Sequence, residues 1–357
     1  MRRIVVKVGT ALLTDSRGGI SRRIIGRISG EIAALREKNF RIAVVSSGAI
    51  GCGRIKMNAP KPKDVSSAQV LSSIGQPILM SMWVKALSKH GLTAAQILCS
   101  ADDFSKRNKY LNLRRTILQI LDSGVVPIIN ENDSVAVDEI KFGDNDRLSA
   151  LVASHIEAET LVILTDVKGI LVNGKIVREI HSIDRALLEK AGAASGFGTG
   201  GMRSKLLAAK ITQLSGCRMI IASGRTSGVL SGIFLKNKQT GTTVYTRGKI
   251  KNRKRWIVFG RLCGGSVFVD NGAYLAVSKT CKSLLPAGIT GSAGSFRKGD
   301  AVNLCSGGKK FAKGLVNYSR EEIEKIRGKK SSEIKKILGY AESPEVIHRD
   351  SLVLLEE

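Results

Sequence analysis

The sequence predicts an α/β protein, a mostly parallel sheet sandwiched by helices, followed by a small β-barrel-like domain. Three observations predict it. Residues 1–224 alternate short Val- and Ile-rich runs with longer stretches of helical period. The short runs carry few charges, as strands buried on both faces do. Beyond residue 224 the pattern changes to short apolar pieces divided by glycines, the mark of a compact β unit.

The strands of the first part are expected at residues 4–8, 42–45, 125–129, 161–164 and 219–222. Helices are expected at 21–38, where Ile24, Ile28, Ile32 and Leu35 share one face, and at 66–89, 145–157 and 202–215. Repeated strand and helix units imply right-handed crossovers in one open sheet. In the second part, 256–260, 266–269, 274–277 and 301–305 read as strands. Residues 320–338, with Ile323, Ile326, Ile334 and Ile337 set among charges, read as a closing surface helix. The boundary is expected between residues 231 and 249.

The 357 residues exceed what one hydrophobic core usually serves, so two domains are expected. Hydrophobic residues at 43% and charged residues at 24% exclude disorder as the main state. No stretch approaches the roughly eighteen uninterrupted apolar residues that cross a bilayer, and Met1-Arg2-Arg3 runs straight into the first strand, so a cytoplasmic protein without a membrane is expected. Cys52, Cys99, Cys217, Cys263, Cys281 and Cys305 stand singly and read as small buried residues in a reducing compartment. His90, His155, His181 and His348 are equally isolated, which argues against a His base or a metal cage.

The formal net charge is +27, and the last third is about twice as basic per residue as the rest. Between Lys236 and Arg261 there are nine Lys or Arg and no acid. That run has two readings: a solvated linker and strand edge, or a patch for RNA or phosphate.

In an open parallel sheet, ligands gather at the carboxyl ends of the strands. The residues found there are Lys7-Val8-Gly9-Thr10, Ser46-Ser47-Gly48-Ala49-Ile50, Asn130-Glu131-Asn132-Asp133, Gly143-Asp144-Asn145-Asp146, Thr165-Asp166 and Gly198-Thr199-Gly200-Gly201-Met202-Arg203-Ser204-Lys205. Glycines let the backbone approach a phosphate, and helix N-termini attract anions. Lys205 falls in the first turn of a helix, where a cation opposes the dipole, an arrangement that makes sense if polyphosphate binds there. No Gly-x-x-x-x-Gly-Lys-Ser/Thr is present, which excludes a P-loop kinase.

This ordered set resembles the glutamate 5-kinase family of the amino-acid kinase superfamily, over essentially the whole chain. Asn252-Arg253-Lys254-Arg255-Trp256-Ile257, Ser283-Leu284-Leu285-Pro286-Ala287-Gly288-Ile289 and His348-Arg349-Asp350 resemble that family's C-terminal PUA domain. The resemblance implies a kinase domain at 1–235, a basic linker at 236–248 and a PUA-like domain with a C-terminal helical segment at 249–357. It implies transfer of the γ-phosphoryl group of ATP, with Mg2+, to the side-chain carboxylate of L-glutamate, the first step of proline synthesis. Lys7 and Lys205 would stabilise the phosphoryl group, oriented by Asp146. Ser47, Gly48, Asp133 and Asn145 would bind the amino acid, with Asp133 accepting from its ammonium and Ser47 and Asn145 donating to carboxylate oxygens. Lys7, Gly9, Thr165, Asp166 and residues Thr199, Gly200, Gly201, Met202, Arg203, Ser204 and Lys205 would hold ATP. Gly9, Gly48, Gly200 and Gly201 would offer N–H groups to phosphates. A carboxylate acceptor is already ionised at neutral pH and needs no general base, so the lack of a catalytic His is expected.

The same resemblance implies a homo-oligomer, dimer or tetramer, feedback inhibition by proline, and hand-over of the labile acyl phosphate to glutamyl-phosphate reductase. The loop Ile170-Leu171-Val172-Asn173-Gly174-Lys175 is shorter than the family's usual one, which leaves the nucleotide preference open. Two alternatives stand: another kinase of the same fold acting on acetylglutamate, aspartate, carbamate or a nucleoside monophosphate, and an RNA-binding protein built on the basic C-terminal domain. Only Trp256, Phe259 and Phe268 supply aromatic surface near the basic run, a thin provision for base stacking.

Overall fold

The computed structural model describes residues 2–14, 19–135, 145–172, 174–184, 187, 189, 201–248, 252–257 and 263–355. The chain divides into two units, Met1–Lys249 and Ile250–Glu357.

In the first unit the strands are β1 (Arg2–Val8), β2 (Phe40–Ser46), β3 (Ala94–Cys99), β4 (Val126–Glu131), β5 (Thr160–Thr165), β6 (Leu171–Val172), β7 (Lys175–Ile176), β8 (Glu179–Ile180), β9 (Arg218–Ser223) and β10 (Thr242–Val244). Eight of them form one sheet in the order β3-β4-β2-β1-β5-β9-β10-β8, and β6 and β7 pair as a separate hairpin. The run from β3 to β9 is parallel, whereas β10 lies antiparallel to β9. Every described residue of β5 is buried, and β1, β2 and β4 are buried along most of their length, which is why they read as unbroken apolar runs. Each expected strand and helix of this unit is present within a few residues.

Three strands of the large sheet escaped the sequence, as did the short β6–β7 hairpin. β3 contains Gln96 and exposed Leu98, as an edge strand paired on one side only can. β8 and β10 have two and three residues, too few to show a period. β10 also corrects the expected linker: Thr242–Val244 belongs to the large sheet, so residues 236–248 lie inside the first unit.

The helix Val65–Ser88 backs the sheet. Its most apolar 18-residue window has a mean hydropathy of 1.2, so by length and composition alone it could cross a membrane. Here it buries Leu71, Leu79, Trp83 and Leu87, and Asp64 caps it by accepting from the Ser67 N–H at 2.7 Å. Its packing against the helix Ala49–Met57 leaves no room for side chains at the crossing. A Cβ on Gly75 would lie 1.8 Å from the Ala49 carbonyl oxygen, and one on Gly53 would lie 1.8 Å from that of Leu71. Backbone cannot yield as a flexible side chain can, so Gly75→Ala is expected to destabilise the unit by about 3 kcal/mol or more. Denaturant unfolding checks this, and an unchanged midpoint would mean that the helices separate without cost.

In the second unit β11 (Cys263–Val269), β12 (Ile289–Gly294), β13 (Ala301–Ser306), β14 (Lys309–Leu315) and β15 (Leu352–Leu354) form one sheet in the order β12-β11-β13-β14-β15. Its own core gathers Val267, Val302, Leu304, Tyr318 and Ile323.

Several expectations are corrected here. Residues 274–277 are not a strand but part of the helix Asn271–Thr280, because Asp270 caps it, accepting from the Ala273 N–H at 2.7 Å. A four-residue apolar run has no period of its own, and the cap decides. Asn252–Arg255 is helical and Trp256–Ile257 continues the turn, so these residues are not the start of a strand; residues 258–260 lie outside those described. The closing helix is two, Arg320–Ile326 and Ile334–Leu338, separated at Gly328 with φ 71°. It is also not merely superficial, since Ile323, Ile326 and Ile334 are fully buried. Arg255 and Trp256 are buried at 2% and 5% exposure, which removes Trp256 as a stacking platform; Phe268 is exposed, and Phe259 lies outside the described residues. Four cysteines are buried as expected, but Cys263 is half-buried and Cys281 is exposed at the end of its helix.

Candidate active site

The carboxyl ends of β1, β2, β4 and β5 meet the first turns of two helices, Asn145–His155 and Gly201–Leu214. Asp146 lies in the first turn of one, where the helix dipole favours a negative charge, and Lys205 lies one turn into the other, still near the end where the dipole disfavours a positive one. The conflict is resolved in space. Asp146 Oδ2 accepts from Lys205 Nζ at 3.1 Å, and Asp146 Oδ1 pairs with Lys7 Nζ from β1 at 2.6 Å. Lys205 also donates to the Gly201 carbonyl at 2.9 Å, and Ser204 Oγ donates to Asp146 Oδ2 at 3.1 Å.

All three charged groups are buried, at 6% exposure for Lys7, 1% for Asp146 and 8% for Lys205. Burial alone would raise the Asp146 carboxyl, but the charges and hydrogen bonds of Lys7 and Lys205 outweigh it and hold the group below the usual carboxylate value. Its stabilising contribution is therefore complete above the ordinary value of about 3.9 and is lost as pH falls through the lower, folded value. Two cations share one anion, so the cluster keeps a surplus positive charge in a site of low dielectric. Such a site stabilises a group that arrives or becomes negative.

Next to it in the fold is a cavity of about 590 Å³, lined by Thr10, Ser47, Gly48, Asn130, Asp133 and Asn145 with the cations Arg54 and Lys61 and the acid Glu131. Gly48 has φ 117°, a left-handed conformation that turns the chain from β2 into the helix Ala49–Met57. Ser72 Oγ donates to Asp133 Oδ2 at 2.6 Å and so fixes the carboxylate at the cavity wall. Asn145 Nδ2 donates to Ser47 Oγ at 2.8 Å and to Asn130 Oδ1 at 2.9 Å.

That last geometry corrects one expected role. Both hydrogens of the Asn145 amide are spent inside the protein, so donation from it to a substrate carboxylate is not available in this arrangement. Gly9 is corrected likewise: its N–H donates to the Leu164 carbonyl at 3.1 Å, extending the β1–β5 ladder instead of pointing at a phosphate. Thr165 ends β5 and Asp166 follows it, with Thr165 Oγ1 donating to Asp166 Oδ1 at 2.9 Å. Gly201, Met202, Arg203 and Ser204 open the helix that carries Lys205, with Arg203 exposed. Thr199 and Gly200, like Gly143 and Asp144, lie outside the described residues.

Residues 2–223 match the amino acid kinase family. The chain belongs to that family. Residues 265–338 match the PUA domain. Over 364 residues this amino acid kinase is 44% identical to the glutamate 5-kinase of Caldanaerobacter subterraneus subsp. tengcongensis, covering 99% of this chain and 98% of that one. It is 45% identical over 365 residues to the glutamate 5-kinase of a Thermoanaerobacter species, covering 99% and 98%, and 41% identical over 366 residues to that of Thermus thermophilus, covering 100% and 98%. A solved carbamate kinase from Giardia lamblia bound to AMP-PNP shares the fold, with a TM-score of 0.50 at 19% identity over 69% of this chain and 98% of that one.

Residues of the amino acid kinase that sequence reasoning passed over are Arg54, Lys61, Ser72 and Gln76. Arg54 and Lys61 are single cations with no periodic signal. Ser72 and Gln76 had one: they sit four apart on the buried face of an apolar helix, where a polar residue needs a partner. His155, in contrast, is the core imidazole expected, 4.1 Å from the Tyr110 ring centroid and 5.5 Å from that of Phe104.

Among the described residues no group of three or more His, Cys, Asp or Glu side chains could cage a metal, and Asp146 is taken up by its lysines. This donor set suits a divalent ion that arrives on the phosphates of a nucleotide substrate.

Proposed function

We propose that the chain transfers the γ-phosphoryl group of ATP, supplied as its Mg2+ complex, to the side-chain carboxylate of L-glutamate, giving L-glutamyl 5-phosphate and ADP, the entry to proline synthesis. The observation that carries this reading is the buried cluster of Lys7, Asp146 and Lys205 beside a cavity that holds charges of both signs. A zwitterion with a second carboxylate needs both signs, and phosphoryl transfer needs cations at the transferring group.

A carboxylate oxygen of glutamate attacks the γ-phosphorus, the bond to the β,γ-bridging oxygen breaks, and ADP leaves with the electron pair. No proton moves, so no base is required. Lys7 and Lys205 balance the charge spread over the phosphoryl oxygens, while Asp146 holds each by a different carboxylate oxygen and keeps both ammonium groups in place. In the cavity, Asp133 faces the α-ammonium and Ser47 keeps its hydroxyl hydrogen for a carboxylate oxygen. Thr165, Asp166 and the segment from Thr199 to Lys205 hold the nucleotide. The metal ion on ATP withdraws charge from the phosphates. Homo-oligomerisation, inhibition by proline, delivery of the acyl phosphate to a reductase and a cytoplasmic location belong to the same proposal.

Hydroxylamine trapping tests it. Purified protein with Mg-ATP should form hydroxamate with glutamate, and little with aspartate or N-acetylglutamate. No hydroxamate from any acid, with no ADP released, would overturn the reading.

A further inference from the structure

The helix Val65–Ser88 reaches the cavity from behind at three points. Ser72 donates to Asp133 at 2.6 Å, Asn130 Nδ2 donates to Gln76 Oε1 at 2.9 Å, and Trp83 Nε1 donates to Ser46 Oγ, beside Ser47, at 2.9 Å. Of these, Gln76 starts a chain of amides. Its oxygen accepts from Asn130, the Asn130 oxygen accepts from Asn145, and Asn145 spends its other hydrogen on Ser47. Gln76 itself is buried and does not line the cavity, whereas Asn130 and Asn145 do.

An amide has one donating and one accepting end, so a chain of them has a direction. With an acceptor at Gln76, Asn130 must point its oxygen at Asn145, and Asn145 must turn its NH2 away from the cavity's contents. Among the described residues, Asn145 Oδ1 then has no hydrogen-bond partner. It is offered to a ligand as an acceptor.

We infer that Gln76 is a positioning residue whose amide oxygen sets the polarity of the Asn130–Asn145 relay, so that Asn145 accepts from the α-ammonium of the amino-acid substrate and the cavity selects acids with a free amine. Asp133 and Asn145 together give that ammonium two acceptors. The inference rests on glutamate being the occupant of this cavity, as proposed above.

The test compares Gln76→Met, which keeps the length and loses the acceptor, with Gln76→Glu, whose carboxylate can only accept. Three numbers are read for each: the kcat and the KM for glutamate, and the inhibition constant of glutarate, which has the same two carboxylates and no amine. Gln76→Met is expected to raise the glutamate KM about tenfold, leave kcat within about twofold and leave the glutarate constant within about twofold. Gln76→Glu is expected to restore the glutamate KM to within about threefold of the wild type. A general loosening of the site would move glutarate and glutamate together and overturn the inference. So would an unchanged KM in Gln76→Met, or a Gln76→Glu variant as impaired as Gln76→Met, since a relay running the other way would be reversed by a carboxylate. Wild-type protein that forms no hydroxamate from glutamate would instead sink the functional reading itself, a separate result from the same assay.

Discussion

Lys205→Ala is expected to lower kcat for glutamate-dependent hydroxamate formation about 1,000-fold while the protein remains folded. In the function proposed above, the charge removed is one of the two that balance the transferring phosphoryl group. Single cations or donors at such positions account for roughly 100- to 100,000-fold in rate elsewhere. Folding should survive because Asp146 keeps its 2.6 Å contact with Lys7, so the buried carboxylate is not left without a counter-charge. Lys205 sits against its helix dipole, and its ammonium is held by Asp146 Oδ2 and the Gly201 carbonyl, so its removal costs the helix little by itself. A variant retaining a tenth or more of the wild-type kcat would show that Lys205 does not meet the phosphoryl group.

Asp146→Asn is expected to act on stability as well as on rate. The amide leaves two ammonium groups buried at 6% and 8% exposure with no anion between them. Breaking a buried pair by removing one partner costs roughly 3–5 kcal/mol, and here the deleted partner serves two cations. A fall in thermal midpoint of roughly 10 °C or more should follow, together with loss of activity. The double variant Lys7→Met with Asp146→Asn should regain part of that stability while staying inactive, because one uncompensated charge has gone. Calorimetry decides it. If the single variant melts with the wild type, the lysines find other counter-charges and Asp146 is not their organiser.

Part of this site could be read without coordinates. Lys7, Asp146 and Lys205 each stand where an apolar run ends or a helix begins, and in a parallel sheet those ends come together. Their residue types pointed to an anion, since a lysine near the start of a helix opposes the dipole and needs a reason to be there. The roles of Gly9 and Asn145 could not be read this way. Whether a backbone N–H faces a ligand or a neighbouring strand, and which end of an amide faces the cavity, depends on partners 15 to 155 positions away.

The sequence by itself determined the parallel sheet, its principal helices, the presence of a second β unit and the family. Buried parallel strands are continuous apolar runs and core helices keep a 3.6-residue period, and both signals are local. The tertiary structure alone decided three things. It made Thr242–Val244 a strand of the large sheet and 274–277 a helix, because segments this short take their form from their neighbours and caps. It placed Gly53 and Gly75 back to back at a helix crossing, a demand that only another backbone imposes. It also linked Gln76 through Asn130 to Asn145, because a hydrogen bond between side chains 54 residues apart leaves no mark in either segment.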